Sequence, residues 1–398
     1  MFFRALAERW KKIFIREYTM DKLLGNYAAM AEKIANSCRY PFSFLADDWD
    51  DIAIWQRLVR GKVFDLLSYN PPRTVLNPRL LKSFEYDGVQ TELVSWDQPF
   101  GPPTEAYFMK PSGSGKGTGK LPVVVALHDH GGFKYYGKEK ITALPGEPEI
   151  LRDYRAVYYG GASWATRLVK RGYAVLAADI FLWGSRKMIA EEVPEEFRSV
   201  LRGKEKGSRE YIEAYNAFTG DYETYVAKSL FLAGTTWPGV MLYEDMRAVD
   251  YLLTRDDIDP DRIGCGGLSG GGLQTIFLTG MDSRIKCSVC VGFMTSFARM
   301  VKYNIPNHTW MAHLPHLSNL IDLPDLISLS GGMPLLVQHD EQDHLFSPEG
   351  QQESHEKLQR IFGKMGRDEM YSGRFYPGDH QFSICMQDEA FDWFDRWL

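Results

Sequence analysis

Residues 262–278 read Arg262-Ile263-Gly264-Cys265-Gly266-Gly267-Leu268-Ser269-Gly270-Gly271-Gly272-Leu273-Gln274-Thr275-Ile276-Phe277-Leu278. An apolar run leads into G-x-S-x-G (267–271), and a helix-like run follows it. The order predicts a strand, a sharp turn and a helix, with Ser269 at the turn tip in a strained backbone conformation. Side chains two residues before and two after that serine would collide, and glycine stands at both places. The turn exposes the hydroxyl, and the following helix aims its positive end and free N–H groups at it. That arrangement suits a nucleophile attacking a carbonyl. Taken alone, the motif also fits a plain strand-to-helix turn.

Outward from this turn, short apolar runs alternate with helical stretches. The runs are 123–127, 173–178, 263–267, 285–291, 334–338 and 373–376. The helix candidates lie near 163–171, 241–254, 272–281, 349–363 and 387–397. Strands alternating with helices predict an α/β fold, a mostly parallel sheet covered on both faces. Three strand-like runs precede them, at 82–86, 91–96 and 106–110. Residues 1–75 carry helical periodicity without strand signals and are expected to be a helical extension packed on the main body, residues 76–398. Within it, residues 48–67 form one helix, ended by Pro71-Pro72. Residues 112–120 lack the G-K-[ST] ending and trailing helix of a phosphate loop, and read as a surface loop. No clear strand occurs between 185 and 238. This insertion exceeds an ordinary connection and is expected to hold helices, either over the active site or elsewhere on the surface.

The 398 residues are 44% hydrophobic and 25% charged, enough for a sizeable core and unlike a disordered chain. A net charge of −6 disfavours nucleic acid or an anionic membrane as partner. The five cysteines are scattered, and Cys265, Cys287 and Cys290 fall in apolar runs as buried thiols would. The charged N-terminus lacks a signal-peptide core, and no stretch reaches the length of a membrane span, so a cytoplasmic protein is expected. Residues 2–15 fit a basic amphipathic helix, packed on the body or lying at a membrane surface.

A serine hydroxyl needs a base, and the base needs an orienting carboxylate. In this chain order both should follow Ser269, on loops after late strands. After the run 334–338, Asp340, Glu341 and Asp343 compete for the acid. Asp343 is preferred, because an acidic residue directly after the strand is used locally and Asp340 reads as a turn cap. After the final strand, His380 stands on the Gly-containing loop Tyr376-Pro377-Gly378-Asp379-His380 and is the expected base. His344 and His355 are the alternatives. The oxyanion that develops needs donors: the backbone N–H of Gly270, and that of His130 in Leu127-His128-Asp129-His130-Gly131-Gly132. The competing reading of that loop takes His128, Asp129 and His130 as metal ligands; the preferred reading has no metal and no cofactor. His308, His313 and His316 read as loop histidines or pocket lining, and Asp179 as a turn former. Trp183, Arg186 and Trp237 are candidate substrate-binding residues.

With these residues placed, the chain resembles the α/β-hydrolase superfamily, in its acetyl xylan esterase and dienelactone hydrolase-like branch. The likeness is carried by the strand and loop at 121–132, the helix at 245–252, the stretch Ile258-Asp259-Pro260-Asp261-Arg262-Ile263-Gly264, and the G-x-S-x-G turn. It spans roughly residues 80–398. The resemblance implies an α/β-hydrolase fold and a serine carboxylesterase acting on small acyl or acetyl esters. Nucleophile Ser269, base His380, acid Asp343 and donors His130 and Gly270 carry over. Dienelactone hydrolases proper use cysteine at the turn, and many relatives lack an acid at the position of Asp129. A serine peptidase or amidase of the same fold is the nearer alternative, although 80 residues cannot build the N-terminal propeller such relatives carry. A catalytically silent binding protein is the other.

Overall fold

The structure, a computed structural model, describes residues 23–114, 119–303 and 305–398. The helix expected at 2–15 and the middle of the 112–120 loop lie outside these residues. Nine strands of the described residues form one sheet: β1 (Arg79–Tyr86), β2 (Val89–Trp96), β3 (Thr104–Pro111), β4 (Leu121–Leu127), β5 (Ala174–Ala178), β6 (Ile258–Leu268), β7 (Cys287–Val291), β8 (Leu335–Asp340) and β9 (Tyr371–Tyr376). Their spatial order is β1-β2-β3-β5-β4-β6-β7-β8-β9. From β1 to β5 the neighbours run antiparallel; from β5 to β9 they run parallel. Strand β1 is largely exposed, as an edge strand bearing Lys82 and Glu85 should be.

The named helices are α1 (Ala28–Ser37), α2 (Ile52–Leu67), α3 (Glu149–Tyr158), α4 (Trp164–Lys170), α5 (Arg209–Leu232), α6 (Trp237–Leu252), α7 (Gly270–Met281), α8 (Pro348–Lys364) and α9 (Ile384–Trp397), with shorter helical turns between them. Strand β4 shows why both faces need cover. Val123, Val125 and Leu127 belong to one apolar layer, with buried residues of α2, α6, α7 and α8. Val124 and Ala126 belong to the other, with α3, α4 and α9. Consecutive side chains point to opposite faces, so a continuous apolar run requires helices on both.

Helix α2 is built into the first layer. The Asp51 carboxylate caps it by accepting the N–H groups of Ala53 and Ile54 at 2.8 and 3.0 Å. Trp55, Val59, Val63 and Leu67 recur at helical spacing and are all buried. Such burial contributes about 1.5–3 kcal/mol per large apolar side chain. Arg60 donates to the carbonyls of Gly280 at the end of α7 and of Leu329, both at 2.7 Å. The 185–238 interval holds short turns and the 24-residue helix α5. No described helix is long and apolar enough to cross a membrane.

Candidate active site

Strand β6 ends at Leu268, and Ser269 adopts φ +58° and ψ −117°. A non-glycine residue rarely occupies that region, so the turn is held by its surroundings. The Ser269 N–H donates to the carbonyl of Val291, the last residue of β7, at 2.9 Å. The flanking glycines answer to one neighbouring strand. A Cβ at Gly267 or Gly271 would stand 2.2 or 2.3 Å from the carbonyl oxygen of Leu127, at the end of β4. Helix α7 starts at Gly270 and directs its positive end at the serine.

The loops after β8 and β9 are zipped together. Glu341 N–H donates to the Tyr376 carbonyl at 2.8 Å, and Gln342 N–H to the Gly378 carbonyl at 3.0 Å. Gln381 N–H reaches the Asp340 carboxylate at 3.1 Å. This pairing brings His380 to Asp343, and its Nδ1–H donates to Asp343 Oδ2 at 2.6 Å. The His380 ring covers Gly292, where a Cβ would stand 3.1 Å from Cε1. Because Gly292 follows Val291, the serine and the imidazole meet at the same end of β7. His380 Nε2 is buried and has no hydrogen-bond partner among the described residues. Burial alone would push its pKa down. The charge and hydrogen bond of Asp343, with the charges of Asp340 and Asp129, outweigh that and raise it to about 9. The alternative bases turn elsewhere: His344 Nδ1 pairs with Asp379 at 2.9 Å, and His355 Nδ1 with the Tyr371 hydroxyl at 2.8 Å. Asp340, Asp343 and His380 have ligand-type atoms within 4.8 Å of one another.

On the other side of the turn, a Cβ at Gly270 would stand 2.7 Å from the backbone nitrogen of His130. The backbone of His130, one expected oxyanion donor, therefore lies against Gly270, which carries the other. The side chains of the His128–His130 segment diverge. His128 Nδ1–H donates to the Asp129 carbonyl at 3.0 Å. Asp129 turns into the protein, where it accepts the hydroxyls of Tyr154 and of Tyr159, the latter at 2.5 Å; Lys140 lies 3.5 Å away. His130 Nε2–H donates to Glu223 at 2.6 Å, and its Nδ1 accepts the Gly132 N–H at 3.0 Å. These three side chains thus engage separate partners and share no common ligand position. Burial, with the nearby Lys134 charge, holds the His130 pKa below its ordinary value despite Glu223.

Glu223 comes from α5, so the insertion reaches the loop after β4 that carries His130. Burial would raise its carboxyl, but His130 and Lys134 outweigh that and hold it well below the usual carboxylate range. Lys134 Nζ bonds the same oxygen as His130, and the Thr309 hydroxyl donates to the other at 3.2 Å. Nothing in the local sequence singles out Glu223, a carboxylate in mid-helix 93 residues from its partner.

Trp183 is buried, and its indole N–H donates to the His130 carbonyl at 3.3 Å. Its ring packs at 5.0 Å on that of His130, and Trp237 lies 6.4 Å farther on. Arg186 is tied to Glu244 and to the carbonyls of Phe100 and Pro102. Its guanidinium is thus used within the fold, and we assign it no substrate contact. Asp179 accepts the N–H groups of Lys138 and Ser185, both at 2.8 Å, and adds an ion pair with Lys138 at 2.6 Å. His308 packs at 5.1 Å on Phe346, whose ring is 6.5 Å from His380; burial pushes its pKa down to about 3. His316 is exposed, and His313 packs on Trp310 at 5.5 Å. A cavity of about 620 Å³ is lined by Arg79, Asp97, Tyr135, Lys138 and Ser185 among others and by none of Ser269, Asp343 and His380.

No family model matches this sequence. Over 340 residues it is 26% identical to YtaP of Bacillus subtilis (strain 168), named as a candidate hydrolase, covering 85% of this chain and 98% of that protein. Among solved structures it is similar to a candidate acetyl xylan esterase from Bacteroides fragilis NCTC 9343, with TM-score 0.66 and 16% identity over 89% of this chain and 82% of the other. It is also similar to a glucuronoyl esterase from Solibacter usitatus, with TM-score 0.57 and 14% identity over 87% and 93%. The strand order, the strained serine turn between β6 and α7, and these likenesses lead to one conclusion: the chain has the α/β-hydrolase fold.

Proposed function

We propose that this protein is a serine carboxylesterase. The observation that carries the reading is the meeting of a strained, helix-capping serine with a carboxylate-bound histidine at one end of β7. In this reading Ser269 Oγ attacks the ester carbonyl while His380 Nε2 takes its proton. The N–H groups of His130 and Gly270 stabilise the oxyanion. The protonated His380 then gives its proton to the departing alcohol, leaving an acyl-enzyme. A water molecule, deprotonated by His380, releases the acid and restores the serine. Asp343 holds the imidazole with Nδ1 protonated and stabilises its positive charge.

The names of the structural neighbours support esters of carbohydrates or other small acyl esters as substrates. Wild type is expected to cleave a small chromogenic acetyl ester and to react with a fluorophosphonate probe. Ser269→Ala should abolish labelling and lower kcat by on the order of 10⁴-fold or more. Full activity in that variant would refute the reading. Matched ester and amide substrates separate this reading from a peptidase of the same fold, which would cleave the amide comparably.

A further inference from the structure

Asp340 closes β8, three residues before the carboxylate that pairs with His380. Its place in the chain suggests a local turn cap, but its side chain reaches across to the next loop. Oδ2 accepts the N–H of Gln381, the residue after His380, at 3.1 Å. Oδ1 is buried and has no partner among the described residues. The backbone beneath is fixed, since the Asp340 carbonyl accepts the Gln351 side-chain amide at 3.1 Å and the Asp343 N–H at 3.2 Å. The residue is fully buried, and its ligand-type atom lies within 4.8 Å of those of both Asp343 and His380. A buried carboxylate oxygen left unpaired is costly, so the charge it can lend to the neighbouring imidazole needs an account.

We infer that Asp340 is a second carboxylate of the site, a positioning residue that holds the His380 loop and shares with Asp343 the stabilisation of the charged imidazole. The inference rests on His380 being the base of the proposed esterase. The titratable groups facing Asp340 are Asp343, Asp379 and His380; those facing His380 also include Asp129 from the β4 loop and His308. Burial is the main influence on the Asp340 carboxyl and pushes its pKa up to about 7, so it gains its charge within the neutral range. Once ionised it favours the imidazolium and delays the loss of the His380 proton to higher pH.

The test reads the His380 imidazole directly. Its NMR titration is followed in Ser269→Ala protein, with the signal assigned through His380→Gln, so the measurement does not depend on esterase activity. Asp340→Asn keeps an acceptor for the Gln381 N–H and removes the charge. It should lower the His380 midpoint by about one pH unit. In the active enzyme, the acid limb of kcat/KM should move down by the same amount. Asp340→Asn combined with Asp343→Asn should lower kcat/KM about tenfold beyond Asp343→Asn alone. An unchanged midpoint in well-folded Asp340→Asn, judged by an unaltered Tm, overturns the inference. So does a double variant no worse than Asp343→Asn. A fluorophosphonate-silent wild type would sink the esterase reading instead, and the titration would still decide the place of Asp340.

Discussion

Two histidines flank the Ser269 turn, and each donates to a buried carboxylate at the same distance. His380 reaches Asp343 at 2.6 Å, and His130 reaches Glu223 at 2.6 Å. Their pKa values move in opposite directions. His380 is raised to about 9, and His130 is lowered. His380 is buried and His130 largely covered, so desolvation opposes charge in both. The difference is the company each pair keeps. Asp340 and Asp129 add negative charge around His380. Lys134 bonds the very oxygen that His130 uses, and Gly132 donates to the other ring nitrogen. A hydrogen bond to a carboxylate therefore does not set a histidine's charge; the field of the surrounding groups and the use of the second nitrogen do.

The contrast is put at risk first by removing each side chain. His380→Ala should cost on the order of 10⁴-fold in kcat, because the base is lost. His130→Ala should cost only about 10- to 100-fold, since the donor assigned to it is a backbone N–H that survives the change. Equal losses on a chromogenic ester would break the distinction. Next comes Glu223→Ala, which leaves Lys134 buried without its counter-charge. It should destabilise the fold by about 3–5 kcal/mol in urea unfolding, more than it impairs the chemistry of the remaining folded protein.

The smallest effect is on pH dependence. The proposed base is active only when unprotonated, so kcat/KM should climb with pH to half its limit near 9. Stability should respond in the opposite sense. A histidine whose pKa is raised by folding stabilises fully below its unfolded value of about 6.5 and loses that contribution as pH rises through its folded value. The Tm gap between wild type and His380→Gln should thus be widest just below neutrality and close above about 9. For His130 the lowered pKa reverses the sign, and its burial in neutral form weakens the fold as pH falls below about 6.5. A His130→Gln variant should lose less stability than wild type on that acid side.

Much of the parallel sheet was legible because its strands are short apolar runs divided by helices and turn residues. Strand β4 was expected at 123–127 and runs from Leu121 to Leu127; α8 was expected at 349–363 and spans Pro348–Lys364. Helices α3 and α5 escaped a definite reading. Helix α5 mixes Gly220, Thr219 and Thr224 with many tyrosines, so no clean apolar stripe marks it, and it is half-exposed along its length. The serine turn was readable from its glycines, although the atom that excludes larger residues there, the Leu127 carbonyl, belongs to a strand 140 residues earlier. In sequence Asp340 looks like a turn cap, because a residue's nearest chain neighbours are the only partners a sequence displays.

From its sequence alone, this protein had a serine at a strand-to-helix turn, a histidine and several acids downstream of it, and an alternation that demands a sheet with two covered faces. Those features follow from local sterics and the period of apolar residues. The tertiary structure decided which acid reaches which histidine, brought Glu223 from the insertion to the loop after β4, and shifted the proton affinities of the two histidines in opposite directions. Proton affinity depends on the distances to every charge and the loss of water around a group, and those distances exist only after remote segments have packed together.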